Sequence, residues 1–469
     1  MTDHAGDLNI GGLTLAEAER EIYHHIVERN PEHDFEPTID RVREACDLLG
    51  DPQHAYKVIH LTGTNGKTST ARMAESLVRA HGLRTGLFTS PHLSSVRERI
   101  QIDGEPISQE DFIRLWQDVA PILHVVDTRS QHHGGPRMSF FEVLTVLAYA
   151  AFADAPIDVA VIEVGMGGVW DATNVADADV AVITTVTMDH MQWLGNDLAG
   201  IAREKAGIIK PGCAVVVAEQ SESVTPVIQA AIASLDVRAA WEGDALEVLD
   251  RRPGVGGQLV TLRTPAATYS DLFVPLYGAH QARNALMALT AVEALLADGG
   301  DPQALAGDVV EAGFDAVTSP GRMEVVRTSP LILVDAAHNP AGVDALAAAV
   351  EESFSFDFLV AVVAVLGDKD PEGILAGLEP LVDRVVITAS SSPRCIPAHE
   401  LGDIAREVFG EERVSVASDL PDALDQAVQA AEANADQGGG VLVVGSVTLV
   451  AEARTMLGAD QRKGTGRAR

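Results

Sequence analysis

Hydrophobic and polar positions change period several times along the chain, and each change predicts an element. Thr14-Leu15-Ala16-Glu17 is a capping-box pattern, and Leu15, Ala18, Ile22 and Ile26 continue it at helical spacing. Ile39, Val42, Cys46 and Leu49 predict a second helix, stopped by Gly50-Asp51-Pro52. The run Val58-Ile59-His60-Leu61 reads as a buried strand, followed by a glycine-punctuated loop and a helix ending near Gly82. A strand over Thr85–Thr89, the turn Ser90-Pro91-His92-Leu93 and a hairpin with Ile100-Gln101-Ile102 and Asp103-Gly104 come next. After a polar loop from Thr128 to Arg137, Phe140, Leu144, Leu147 and Ala151 predict a helix, with Phe141 and Glu142 off its apolar face.

Ile157–Val164 and Val180–Val186 are continuous apolar runs of the kind that fill parallel sheets, and each ends in polar residues. A helix over Ala199–Ala206, a strand over Ala214–Ala218 and a β-rich piece between Ala245 and Pro275 complete the predicted sheet region. A helix after Gly278 carries His280, Gln281 and Asn284. Beyond the linker Thr318-Ser319-Pro320-Gly321-Arg322 a new alternation begins. Strands at Leu331–Val334, Leu359–Leu366, Val385–Thr388 and Val441–Val444 are separated by helices such as Ala341–Glu352 and Asp422–Ala433, which predicts a second, smaller α/β domain. The stretches 1–12 and 461–469 are expected to be disordered.

Thr62-Gly63-Thr64-Asn65-Gly66-Lys67-Thr68 lies where a strand passes into a helix. Small residues there let backbone N–H groups turn onto an anion, Lys67 supplies a charge for β/γ-phosphates, and the Thr68 hydroxyl suits Mg²⁺. The general phosphate-loop pattern has a glycine where this chain has Leu61. Charge sharpens this picture: 34 basic against 68 acidic residues, a formal net charge of −34, would repel nucleic acid or an anionic membrane. An anionic ligand therefore needs a local exception, and Gly63–Thr68 is one. No apolar run reaches the roughly 18 residues of a membrane span. The first residues lack the pattern of a secretory signal, so a cytoplasmic location is expected. Cys46, Cys213 and Cys395 are too scattered for a disulfide framework or a thiolate zinc site.

The loop Thr62–Thr68 resembles that of the Mur ligase superfamily, ATP-dependent enzymes that join a carboxylate to an amine. Ser90-Pro91-His92-Leu93, Phe140-Phe141-Glu142, Glu163-Val164-Gly165-Met166-Gly167-Gly168, Asp171-Ala172-Thr173-Asn174, Glu204-Lys205-Ala206-Gly207-Ile208 and Asp335-Ala336-Ala337-His338-Asn339-Pro340 are similar to the folylpolyglutamate synthase/dihydrofolate synthase family. The resemblance runs from about Thr38 to about Val447. It implies an α/β fold: a P-loop, Mur-ligase-type ATPase domain with a mostly parallel sheet over 1–318, and a smaller Rossmann-like C-terminal glutamate-ligase domain over 322–469.

The same resemblance implies the site. Gly63, Thr64, Asn65, Gly66, Lys67, Thr68, Asn284, Arg322 and Asp335 are expected at ATP, with His338 near the phosphates. Thr68, Ser90, Glu163 and His190 are expected to hold Mg²⁺, in two ions, and Lys205 to be carbamylated, which turns a cation into an anion facing metal. Lys67, Glu163, His190, Lys205 and His338 form the expected catalytic set. Thr38, Ile39, Asp40, Phe141, Trp170, Asp171 and Ala172 match segments that bind pteroate. Val169 stands where the family usually has arginine. The implied reaction is ligation of L-glutamate to dihydropteroate or reduced folates through an acyl phosphate, by a monomer without nucleic-acid or membrane partners. Two alternatives are a Mur-type ligase acting on a cell-wall nucleotide peptide and a non-catalytic nucleotide-dependent binding protein. The metal set Glu163, His190 and Lys205 favours an enzyme over the latter.

Overall fold

The computed structural model describes residues 9–10, 12–27, 38–189, 191–434 and 438–459. The disorder expected in 1–12 and 461–469 falls almost wholly outside them, as does His190. A two-residue hairpin, β1 (Asn9–Ile10) and β2 (Leu13–Thr14), leads into the helix Leu15–Val27. The expected capping box is formed there: Thr14 N donates to Glu17 Oε2 at 2.8 Å and Glu17 N to Thr14 Oγ1 at 3.3 Å.

An eight-stranded sheet is built from β3 (Lys57–Thr62), β4 (Thr85–Phe88), β5 (Ile100–Ile102), β6 (Glu105–Pro106), β7 (Val159–Glu163), β8 (Val180–Ile183), β9 (Ala214–Val217) and β10 (Arg238–Trp241). Its order is β10-β9-β8-β3-β7-β4-β5-β6, parallel except at the β5 and β6 edge. Strand alternation explains the two buried faces. Ile59 and Leu61 of β3, with Val159 and Val161 of β7, face the helices Lys67–Ala80 and Ala279–Leu296. Val58, Ala160 and Ile162 face the helices Leu15–Val27, Gln109–His132 and Phe140–Asp154. The chain runs from β3 toward β4 on one side and through β8 to β9 on the other, so the loop after β3 sits at a topological switch point.

Three expectations are corrected. The stretch Thr128–Arg137 is not a loop throughout, because the helix Gln109–His132 extends into it. Val126 and Asp127 are buried on that helix, and Asp127 accepts from Arg137 Nε at 2.9 Å and Met138 N at 2.7 Å, folding the exit back on the last turns. The β-rich piece does not extend the main sheet: β11 (Glu247–Gly254), β12 (Gly257–Arg263) and β13 (Thr268–Val274) form a separate antiparallel sheet. Short hairpin connections bring these strands together before they can reach a parallel edge. In the C-terminal sheet two short edge strands go beyond the predicted four. Its strands are β14 (Glu324–Thr328), β15 (Leu331–Val334), β16 (Phe358–Val363), β17 (Arg384–Ile387), β18 (Val414–Val416) and β19 (Gly439–Val444), in the order β14-β15-β19-β16-β17-β18. β14 is antiparallel and the rest are parallel.

Candidate active site

The loop after β3 is folded by two glycines with positive φ, Gly63 at +146° and Gly66 at +89°. A Cβ on Gly63 would lie 1.8 Å from Thr184 Oγ1, and one on Gly66 would lie 2.5 Å from Asn284 Oδ1. A side chain at either position would strain the backbone and force its neighbour to shift. Thr184 Oγ1 donates to Asn65 O at 2.8 Å and Thr64 N donates to Thr185 O at 2.9 Å, so the loop is stitched to the end of β8. Leu61, at the place of the missing first glycine, is a fully buried core residue of β3. Lys67 curls back to donate to Gly63 O and Thr64 O, both at 3.0 Å. Burial lowers its pKa, while Glu163 and Asp189 oppose the shift.

Glu163 closes β7 next door and is 2% exposed. Thr68 Oγ1 donates to its two oxygens at 2.9 and 3.0 Å, and Ser90 N donates to Oε2 at 3.2 Å. Burial raises the carboxyl pKa, against the opposing charge of Lys67. Among the described residues no group of three or more His, Cys, Asp and Glu side chains is placed so as to hold a metal ion by itself. The converging groups are one carboxylate and two hydroxyl-bearing residues, a donor set of oxygens that suits a hard divalent cation completed by water and phosphate oxygens. A cation there would offset the cost of burying Glu163.

Lys205 ends the helix Leu198–Lys205, whose first turn is capped by Asp197. Its Nζ donates to Gly63 O at 2.8 Å, on the same carbonyl that Lys67 uses. Burial first, then the charge of Lys67, draws its pKa down to about 7. An amine in that range is neutral in a large fraction of molecules near pH 7.

The second sheet supplies the opposite wall. Asp335 follows β15, is buried, and accepts from Met323 N at 2.8 Å and Ala337 N at 2.7 Å. It thereby holds the segment that carries Arg322, whose charge lowers its pKa against the larger, raising effect of burial. Burial draws His338 down to about 4. Sequence reasoning missed three groups at the cleft, Asn339, Asp189 and Lys369. Asn65 and Asn339 exchange amide hydrogen bonds at 3.2 and 3.1 Å, and Lys369 Nζ reaches Asp189 Oδ1 at 2.8 Å. The available signal for Lys369 was a charged cluster, Gly367-Asp368-Lys369-Asp370, just beyond a buried strand. At the junction, Ser69 Oγ lies 3.3 Å from Ser319 Oγ and takes Gln281 Nε2 at 3.3 Å, and Asn284 Nδ2 donates to Gln281 Oε1 at 3.0 Å.

A cavity of about 930 Å³ joins these walls and extends to Thr38, Phe141, Trp170, Asp171 and Ala172. Ile39 and Asp40 do not line it: Ile39 packs into the core beneath, and Asp40 is exposed at the start of its helix. Arg41, one residue on, does line it, held by Glu142 at 2.9 Å. Phe141 packs against Phe88 with ring centroids 5.6 Å apart and presses on Gly165, so it is core and wall at once. Val169 is 48% exposed and its side chain covers Gly207. Basic and acidic residues line the cavity in nearly equal number, where the chain as a whole has twice as many acidic ones. The site is the local exception that an anionic ligand requires.

Comparison with known proteins agrees with this geometry. The Mur ligase middle domain matches residues 61–292, and the Mur ligase glutamate ligase domain matches residues 321–447. Dihydrofolate synthase/folylpolyglutamate synthase of Mycobacterium tuberculosis is 48% identical over 458 residues, covering 94% of each chain. The structure of Mycobacterium tuberculosis folylpolyglutamate synthase complexed with ADP superposes with a TM-score of 0.89 at 46% identity, over 95% of this chain and 99% of that one. The Escherichia coli FolC protein in complex with DHPP and ADP gives a TM-score of 0.80 at 27% identity, over 95% and 98%. Likeness of this extent, through both domains and the cleft between them, decides against the cell-wall and non-catalytic alternatives. The chain belongs to the dihydrofolate synthase/folylpolyglutamate synthase family of Mur-type, ATP-dependent ligases.

Proposed function

We propose that the protein ligates L-glutamate to dihydropteroate and to reduced folates at the expense of ATP, with residues 1–318 holding nucleotide and pterin and 322–469 serving the glutamate step. The observation that carries the reading is one continuous cavity lined by the Lys67 loop and Glu163, by Arg322, Asp335 and Lys369, and by Phe141, Trp170 and Asp171. A carboxylate is a poor electrophile, so its oxygen first takes the γ-phosphoryl group and ADP leaves. The glutamate amine then attacks the acyl carbon, the C–N bond forms, the C–O bond to phosphate breaks, and the amine gives up a proton. No protein nucleophile is needed.

In this reading Lys67 leaves its two carbonyl partners for the β/γ-phosphates, and the loop amides and the helix N-terminus at Gly66 cradle them. Thr68, Ser90 and Glu163, with His190, would hold Mg²⁺, in two ions. When bound, Mg²⁺ neutralises phosphate oxygens as a Lewis acid. Neutral Lys205 adds CO₂ through Nζ and loses a proton, giving a carbamate that faces the same charges. Asn284 and Asp335 flank the nucleotide, while Arg322 and His338 approach the phosphates from the second wall and help exclude water from the acyl phosphate. Trp170, Asp171, Ala172, Phe141 and Thr38 form the pterin end, with Ile39 packed into the core beneath it and Asp40 exposed outside it. The working unit is a cytoplasmic monomer.

The test is ADP release with dihydropteroate or tetrahydrofolate, each with and without glutamate. Glutamate-dependent release with both is expected, and Lys67→Ala should abolish it. Release that ignores glutamate, or full activity in Lys67→Ala, sinks the reading.

A further inference from the structure

His60 lies in the middle of β3, fully buried, and the reaction outlined above gives it no part. Its Nε2 is 2.8 Å from Thr173 Oγ1. Thr173 Oγ1 in turn donates to Asp171 Oδ1, which also accepts from Thr173 N at 3.0 Å. The direction of the chain follows from chemistry. Burial pushes the Asp171 carboxyl up to about 6, and above that pH the ionised carboxylate only accepts, so the single hydroxyl proton of Thr173 goes to Asp171 and Thr173 Oγ1 must accept from an Nε2–H. His60 is therefore the neutral Nε2–H tautomer with a bare Nδ1. That Nδ1 is buried without a hydrogen-bond partner, and burial, then Lys210, draws the imidazole down to about 3.

We propose that His60 and Thr173 are positioning residues for the pterin end of the cavity, acting through Asp171. A bare buried nitrogen is a cost that an apolar residue in β3 would avoid, so the strand position is not explained by packing. What it supplies is direction. A threonine hydroxyl is a rotor, and the His60 donor leaves it one placement for its proton. Asp171 is then held by Thr173 on Oδ1 and by Met166 N at 2.9 Å on Oδ2. Tyr149 Oη donates to Thr173 O at 2.6 Å and pins the same residue from the helix Phe140–Asp154. The carboxylate thus ties the segment of Met166 to the short turn Ala172–Val175, and Met166, Trp170 and Ala172 all line the cavity. None of these contacts is made by Gly63–Thr68, although Thr62 Oγ1 donates to Gly167 O at 2.8 Å, next to Met166. The inference rests on the reading of Trp170, Asp171 and Ala172 as the pterin wall.

The experiment uses the full chain, with KM measured for dihydropteroate, ATP and glutamate together with direct dihydropteroate binding. Thr173→Val keeps the shape and removes the hydroxyl. It should raise KM for dihydropteroate about tenfold, the loss of one hydrogen bond to a charged group, while KM for ATP stays within about twofold of wild type. Thr173→Ser, which keeps the hydroxyl, should stay near wild type, and His60→Phe should repeat the selective effect. A purely structural role would lower the melting temperature or the active fraction and leave KM alone. Should Thr173→Val fail to fold, His60→Phe decides. A wild type with pterin-dependent ADP release and unchanged KM in these variants overturns the relay alone; a wild type that binds no pterin overturns both readings.

Discussion

Lys369 Nζ stands 2.8 Å from Asp189 Oδ1 across the cleft, a pair drawn from positions 180 residues apart. Both side chains are enclosed, at 6% and 10% exposure, and Asn339 Nδ2 adds a contact to Asp189 Oδ2 at 3.5 Å. Removing one member of an enclosed pair strands the other's charge. Lys369→Met and Asp189→Asn should each lower kcat/KM at least about tenfold. The double variant should be far less impaired than the product of the two, with a coupling of about 2 kcal/mol in a double-mutant cycle. Additive losses would show that the pair does not act as a unit.

Glu163→Gln separates stability from catalysis. Burial raises the folded-state pKa of Glu163 above its ordinary 4.5, so the folded protein disfavours the charged form. Its contribution to stability is lost as pH climbs from that ordinary value through the raised one. The melting temperature of the variant relative to wild type should therefore rise as pH climbs above 4.5 in metal-free buffer. Added Mg²⁺ should raise the wild-type melting temperature and not the variant's, while ligation falls at least about a hundredfold.

Lys205 has the opposite sign. Its pKa falls from 10.5 to about 7 on folding, mainly through burial, so between those values the unfolded chain binds the extra proton. Stability should rise with pH across that window, and Lys205→Met should flatten the slope. Bicarbonate should raise wild-type activity, with a carbamate resonance from ¹³C-bicarbonate that Lys205→Met lacks. Activity indifferent to bicarbonate, with no such resonance, would remove the carbamate from the scheme.

Gly63→Ala tests the loop itself. The added Cβ meets Thr184 Oγ1 at 1.8 Å on a backbone with φ of +146°. The strain and the clash together should cost about 3 kcal/mol, read as a lower unfolding midpoint, with nucleotide binding lost. Smaller damage is expected in Gly66→Ala, where the obstacle at 2.5 Å is the end of the Asn284 side chain.

Local pattern made the central elements legible. Strand β3, its loop and the helix Lys67–Ala80 follow from contiguous residues, and Glu163 was marked by a carboxylate at the end of an apolar run. Groups defined by partners far along the chain were not legible. Lys369 acquires meaning from Asp189, Asn339 from Asn65, and His60 from Thr173, none of which periodicity can pair. Ile39 and Asp40 fail to reach the cavity because the helix beginning at Asp40 turns Arg41 inward instead. β14 and β18 were missed because short edge strands with exposed faces carry little hydrophobic signal.

The contacts around Ser319 fix the path of the chain between the two halves. Ser319 is fastened to Ser69 on the phosphate-loop helix, whereas Gly321 O accepts from Ala336 N at 2.9 Å and Gly321 N donates to Glu324 Oε2 at 2.7 Å, both on the far side. Arg322 N donates to Ser319 O at 3.1 Å, so Pro320 and Gly321 are closed into a turn between those attachments, and the proline ring already fixes one of the two Pro320 backbone torsions. Arg322 is thereby delivered to the cavity on a braced turn at the seam, so its aim is set by how the two halves are joined and not by a slack connection.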